Sequence, residues 1–75
     1  MTASNEEWAE RAKRLLKAEM VRAGFKHADL AAKLTDMGLP ETEGSVQVKI
    51  NRGSFPAWFL LAALSAMGCS SLRLD

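Results

Sequence analysis

Seventy-five residues suffice for one small domain with a modest core, since a chain this short buries only roughly 60% of its unfolded surface. Ten Lys and Arg against nine Asp and Glu leave a net charge of +1. That balance speaks against strong non-specific DNA binding by a monomer, because such affinity comes from neutralising phosphates, but it allows a dimer with its basic residues gathered on one face.

Cys69 is the only cysteine, so no internal disulfide staples the chain, and a lone thiol fits a reducing compartment. The polar, mixed-charge start does not have the pattern of a signal peptide. The longest apolar run, residues 55–64, is shorter than the about 20 residues a membrane span needs. The expectation is a soluble, cytoplasmic protein forming one domain over residues 1–75, with a short polar tail at 1–4 and a C-terminal tail at 69–75.

The first predicted helix covers residues 5–23. Ser4 and Glu7 have the spacing of a capping box, with Asn5 as an alternative cap, and Glu6 and Glu7 suit the positive helix start. Trp8, Ala12, Leu15, Leu16, Met20 and Ala23 keep helical spacing, Gly24 ends the helix, and Phe25 turns back to the core. The second helix, 27–37, repeats Leu30, Ala31 and Leu34 on one face and closes at Gly38 before Leu39 and Pro40.

Residues 42–52 admit two readings. Val46, Val48 and Ile50 alternate as in a strand, but Val46 and Ile50 are also i and i+4, Thr42 can serve as an N-cap, and Glu41 and Glu43 favour a helix start. An isolated strand between helices would leave its backbone unpaired, so helix is the assignment. The last helix, 55–67, has Ser54 as its expected cap and Pro56 in the first turn. It is apolar on nearly every side up to Gly68, and such a helix calls for burial all round. The tail after it alternates Leu72 and Leu74 and could run extended.

Residues 24–34, from Gly24 through Asp29 and Leu30 to Leu34, resemble the start of the helix-turn-helix in Cro-like (XRE-type) repressors. Ile50-Asn51-Arg52-Gly53 is similar to the end of their recognition helix, and the segment up to Gly68 resembles the helix that follows. Over almost its whole length the chain also resembles a short bacterial domain family of unknown function, through Glu41-Thr42-Glu43, Lys49-Ile50, Arg52-Gly53 and the aromatic-rich helix. The resemblance implies an all-α, four-helix, Cro/repressor-like fold and transcription regulation through DNA. Two departures stand out. Lys26 replaces the usual Ser or Thr cap, and Leu30 to Gly53 is longer than the repressor pattern, the extra length being expected within the second and third helices.

With Val46 and Ile50 inward, Gly44, Ser45, Val48, Asn51 and Arg52 point outward, flanked by Gln47 and Lys49. Gln and Asn can pair with adenine, Arg with guanine, and a valine can touch a thymine methyl, so Ser45, Gln47, Val48, Lys49, Asn51 and Arg52 form a candidate reading surface on double-stranded DNA. His27, opening the second helix, could donate to a phosphate. The plain alternative is a solvated helix face and a surface histidine. Trp8, Phe25, Trp58 and Phe59 are expected in the core.

The surplus apolar surface of the last helix points to a homodimer through Trp58, Phe59, Leu61 and Leu64, joined by Leu72 and Leu74. One His, one Cys and no Tyr supply no nucleophile–base constellation, metal cluster or phosphate loop, so no enzyme, cofactor or small-molecule substrate is expected. The rival to DNA binding is a protein-interaction module with the same fold.

Overall fold

The computed structural model describes residues 4–74. Within them the chain forms four helices: α1 (Asn5–Ala23), α2 (His27–Asp36), α3 (Glu43–Arg52) and α4 (Ala57–Ala66). No strand occurs among the described residues. The alternation of Val46, Val48 and Ile50 is therefore helical, with Val46 and Ile50 buried and Val48 outside. Of the expected N-terminal tail only Ser4 is described, and Asp75 likewise lies outside the described residues.

Local chemistry sets most of the boundaries. The Glu7 amide donates to Ser4 Oγ at 3.2 Å and the Ser4 amide donates back to the Glu7 carboxylate at 3.3 Å, a complete capping box for α1. At the other end Gly24 is left-handed, and the Phe25 amide closes on the Met20 carbonyl at 2.8 Å. At α2 the missing Ser or Thr is half replaced, because Asp29 accepts from the Lys26 amide at 2.8 Å. Thr42 caps α3 reciprocally with Ser45, at 3.1 and 2.9 Å. Ser54 does not cap the last helix. The N-cap position belongs to Pro56, whose fixed backbone leads into Ala57, and no side chain caps it.

Leu16, Leu30, Leu34, Val46, Ile50 and Phe59 are wholly enclosed, with Met20, Ala31, Ala63, Leu64, Ala66 and Met67 completing the core. Burying each large side chain contributes roughly 1.5–3 kcal/mol. α3 packs on α2 and α1, and α4 on the same two helices. The last helix is not surrounded: Phe59, Ala63, Leu64 and Ala66 face the core, whereas Trp58 and Leu61 are 49% and 68% exposed. Trp8, expected inside, is 55% exposed on α1. A chain with only three other short elements has nothing left to cover these rings.

α2 stops at Asp36, and residues 37–42 form an ordered connection. The Leu39 amide closes on the Leu34 carbonyl at 2.9 Å, tucking Leu39 against the core. The Thr35 hydroxyl donates its one proton to the Ala31 carbonyl at 2.9 Å, with the Glu41 carbonyl as the alternative acceptor, and accepts from the Glu41 amide at 3.2 Å, so Glu41 is held beside the end of α2.

α3 ends where it touches α1. Gly53 is left-handed, and a Cβ built on it would lie inside the Ala9 carbonyl oxygen and 2.7 Å from the carbonyl carbon. Gly24 is equally left-handed but has open space around it. A left-handed conformation in a non-glycine residue costs roughly 1–3 kcal/mol, which is the whole expected loss in Gly24→Ala. Gly53→Ala adds a backbone collision and is expected to lose at least about 3 kcal/mol. Urea denaturation of both variants checks this, and equal losses would show that α3 does not press on α1.

Candidate nucleic-acid interface

α3 buries Val46 and Ile50 and turns Gln47, Val48, Asn51 and Arg52 to solvent. Four neighbouring positions, 47, 48, 51 and 52, thus share one outward face near the C-terminal half of the helix. Val48 is half exposed between the polar groups. Arg52 has no ion-pair partner among the described residues. The face therefore offers two amides, a guanidinium and an apolar contact, none of them used inside the domain.

Ser45 and Lys49 are placed differently. Ser45 is half-buried, and its hydroxyl donates to Glu41 Oε1 at 2.6 Å besides exchanging capping bonds with Thr42. Lys49 Nζ pairs with Glu41 Oε2. The ammonium also lies 5.2 Å from the Phe59 ring centroid and 5.9 Å from that of Trp58, within the range of cation–π attraction. Trp58 meets Phe59 edge-on at 6.1 Å, and Phe55 stacks obliquely on Phe59 at 5.5 Å. One lysine thus joins the 37–42 connection, α3 and the start of α4.

The Glu41 side chain is only 4% exposed. Burial alone would raise its carboxyl pKa, but the hydrogen bonds from Lys49 and Ser45 and the Lys49 charge outweigh that and hold it below the usual value. Sequence reading took Glu41 for a helix-start acid. Its partner is eight residues away and Glu41 stands outside α3, so the i, i+4 rule for helical ion pairs does not find it. Glu10 on α1 is also lowered, first by its Lys13 hydrogen bond, but at the exposed surface.

His27 opens α2 with its imidazole half-buried, and Nε2 is enclosed without a hydrogen-bond partner. That nitrogen does not face a ligand outside. Of the expected dimer residues, Phe59 and Leu64 are core and unavailable, whereas Trp58, Leu61, Leu72 and Leu74 are exposed. Leu72 and Leu74 belong to the irregular tail, which lies along α1: Arg11 donates to the Leu74 carbonyl at 3.1 Å and stacks on Trp8 at 4.4 Å. Between tail and helix runs an open groove of about 800 Å³ floored by Trp8, Ala12, Leu15 and Leu60. The Cys69 sulfur donates to the Ser71 carbonyl. Among the described residues no three His, Cys, Asp or Glu side chains converge as a metal site requires, and no helix is long and apolar enough to cross a membrane.

These elements together are a recognised unit. The chain belongs to a family described as a domain of unknown function, DUF6471, whose model matches residues 8–72, which takes in α1 from Trp8 onward and the whole of α2, α3 and α4. No curated protein and no solved structure matches the chain.

The pair at Glu41 fixes two opposite pH dependences. In the native chain the folded carboxyl pKa is below its ordinary 4.5, so its stabilisation is present above that value and is lost as pH falls through the folded pKa. Lys49→Met leaves burial, the largest influence, opposed only by Ser45. The folded pKa should then rise, giving stabilisation that is present at low pH and lost as pH increases. Thermal midpoints between about pH 3 and 7 for the native chain, Glu41→Gln and Lys49→Met check this: Glu41→Gln should make the profile shallower, leaving the Glu10 part, and the difference between Lys49→Met and Glu41→Gln should slope the opposite way from that between the native chain and Glu41→Gln.

Proposed function

We propose that this chain is a non-enzymatic helix-turn-helix module that binds duplex DNA through α3 and regulates transcription as a homodimer. The observation that carries this reading is the face at Gln47, Val48, Asn51 and Arg52, exposed and uncommitted on a helix anchored by Val46 and Ile50. The two amides at that spacing match the hydrogen-bonding edge of adenine in the major groove, and the guanidinium beside them can meet a backbone phosphate. The likeness of residues 24–34 and 50–53 to Cro-like repressors supports the same assignment. So does the packing of α2 on α3, although a connection of six residues, 37–42, replaces the 3–4-residue turn usual for this motif.

Dimerisation follows from the exposed side of α4. Trp58 and Leu61 are three residues apart and lie on one face. Two copies meeting there about a two-fold axis would bury both pairs and set two α3 helices on one side of the assembly. The same exposed pair favours a second reading, a protein-interaction module that docks α4 on a partner and leaves DNA alone.

Duplex binding decides between them. Fluorescence anisotropy with a randomised duplex pool at low salt is expected to show binding. Arg52→Ala should weaken it across all sequences and cut the log–log salt slope by about one. No binding by the native chain would discard the DNA reading in favour of the interaction module. For the dimer, sedimentation at high micromolar concentration should give two copies for the native chain and one for Leu61→Glu, with helical content unchanged. A native monomer would rule the pairing out.

A further inference from the structure

α3 carries two cations in its last turns, Lys49 and Arg52, and the structure treats them unequally. Positions 45, 49 and 52 follow one another at i, i+4 and i+7 and line a single flank of the helix, so Lys49 stands one turn from Arg52. Arg52 is exposed. Lys49 is drawn inward by Glu41, whose other oxygen is filled by Ser45 and whose own backbone is clasped by Thr35. The Lys49 side chain nevertheless remains about a third exposed, with its ammonium over the Phe59 and Trp58 rings at 5.2 and 5.9 Å from their centroids.

We infer that Glu41 is an internal counter-ion that withholds Lys49 from DNA, drawing its ammonium onto a buried carboxylate and leaving Arg52 as the α3 cation that touches phosphate in the native chain. This inference rests on the DNA reading above and names Glu41 as a positioning residue for it. A carboxylate and a phosphate present similar oxygen acceptors to an ammonium, so the two compete for one partner. The intramolecular acid has the advantage of a fixed backbone, an accompanying hydroxyl donor and a site from which water is largely excluded. Glu41 thereby lowers the affinity of α3 for any duplex and raises the relative weight of base contacts by Gln47 and Asn51, since phosphate contacts carry no sequence information.

The test is a mutant cycle read as duplex affinity against salt, with the folded state of each variant checked by circular dichroism. Lys49→Met in the native background should leave the salt slope unchanged, since the count of phosphate contacts stays the same. Glu41→Gln should tighten binding at low salt and steepen the slope by about one, an extra loss of about 3.5-fold between 50 and 200 mM salt. Adding Lys49→Met to Glu41→Gln should abolish that gain. Glu41→Asp keeps the charge but shortens the acid, and should give a smaller gain in the same direction; it carries the test if Glu41→Gln fails to fold. Glu43→Gln removes an exposed neighbouring charge and should not steepen the slope. If Lys49→Met weakens binding equally in both backgrounds, Lys49 already touches DNA and the inference is overturned. It is overturned too if Glu41→Gln and Glu43→Gln give equal gains that ignore Lys49. Binding by no variant, the native chain included, removes the DNA reading itself and this inference with it.

Discussion

With no side chain at residue 53, the end of α3 comes down directly on the backbone of α1 at Ala9. The left-handed turn required to leave α3 and the space required to touch α1 fall on the same residue, so only glycine meets both demands. That contact fixes how far α3 lies from α1 and at what point the chain turns towards Phe55 and Pro56. The tilt of α3 then follows from where Val46 and Ile50 meet Leu16, Leu30 and Leu34 in the core. Its outward face is the residue of this arrangement: whatever α1 and α2 do not cover on α3 is what the domain can show to a partner.

The second constraint is electrostatic and works across elements that the core does not join. An acid buried to the extent of Glu41 is stable as a carboxylate only with a charged partner and filled lone pairs, and Lys49 and Ser45 provide these. Lys49 in turn rests against Phe59 and Trp58, so the connection after α2 is tied to the start of α4 through one side chain. Such a tie adds little net stability, because desolvating two charges offsets most of their attraction. Its contribution is to order: a six-residue connection that would otherwise be loose is held at Thr35, Leu39 and Glu41.

Helices were legible in the sequence because their ends are written locally. Ser4 with Glu7, Thr42, and the glycines after α1 and α3 act within four residues of their own position, and the predicted helices at 5–23, 27–37, 42–52 and 55–67 differ from the structure by at most two residues at either end. Ser54 misled, because Pro56 two residues on takes the N-cap position. Exposure was less legible. Trp8 and Trp58 read as core by residue type, yet whether an aromatic side chain is covered depends on how many neighbours the whole fold supplies, which no local pattern records. On α3, the exposure of Gln47, Val48, Asn51 and Arg52 followed from helical geometry and two buried positions. That of Ser45 and Lys49 did not, because their partner Glu41 lies before the helix and is brought back by the hydroxyl of Thr35.

On the proposed reading, near neutrality and a DNA partner are reconciled by where the charges are used. Among the described residues Lys13 and Arg14 engage Glu10, Arg22 engages Glu19, and Lys49 engages Glu41, so part of the positive charge is already answered within the chain. On the proposed reading a single copy then offers α3 little beyond Arg52 for phosphates, too few contacts for non-specific retention at physiological salt. Two copies related by a two-fold axis double that number and also require both α3 faces to find matching bases one helical turn apart. A sparse charge set would therefore move discrimination onto Gln47 and Asn51 and make binding depend on pairing through α4. The exposed Trp58–Leu61 face and the uncommitted α3 face then become parts of one requirement, because a monomer would hold DNA too weakly for its base contacts to be read.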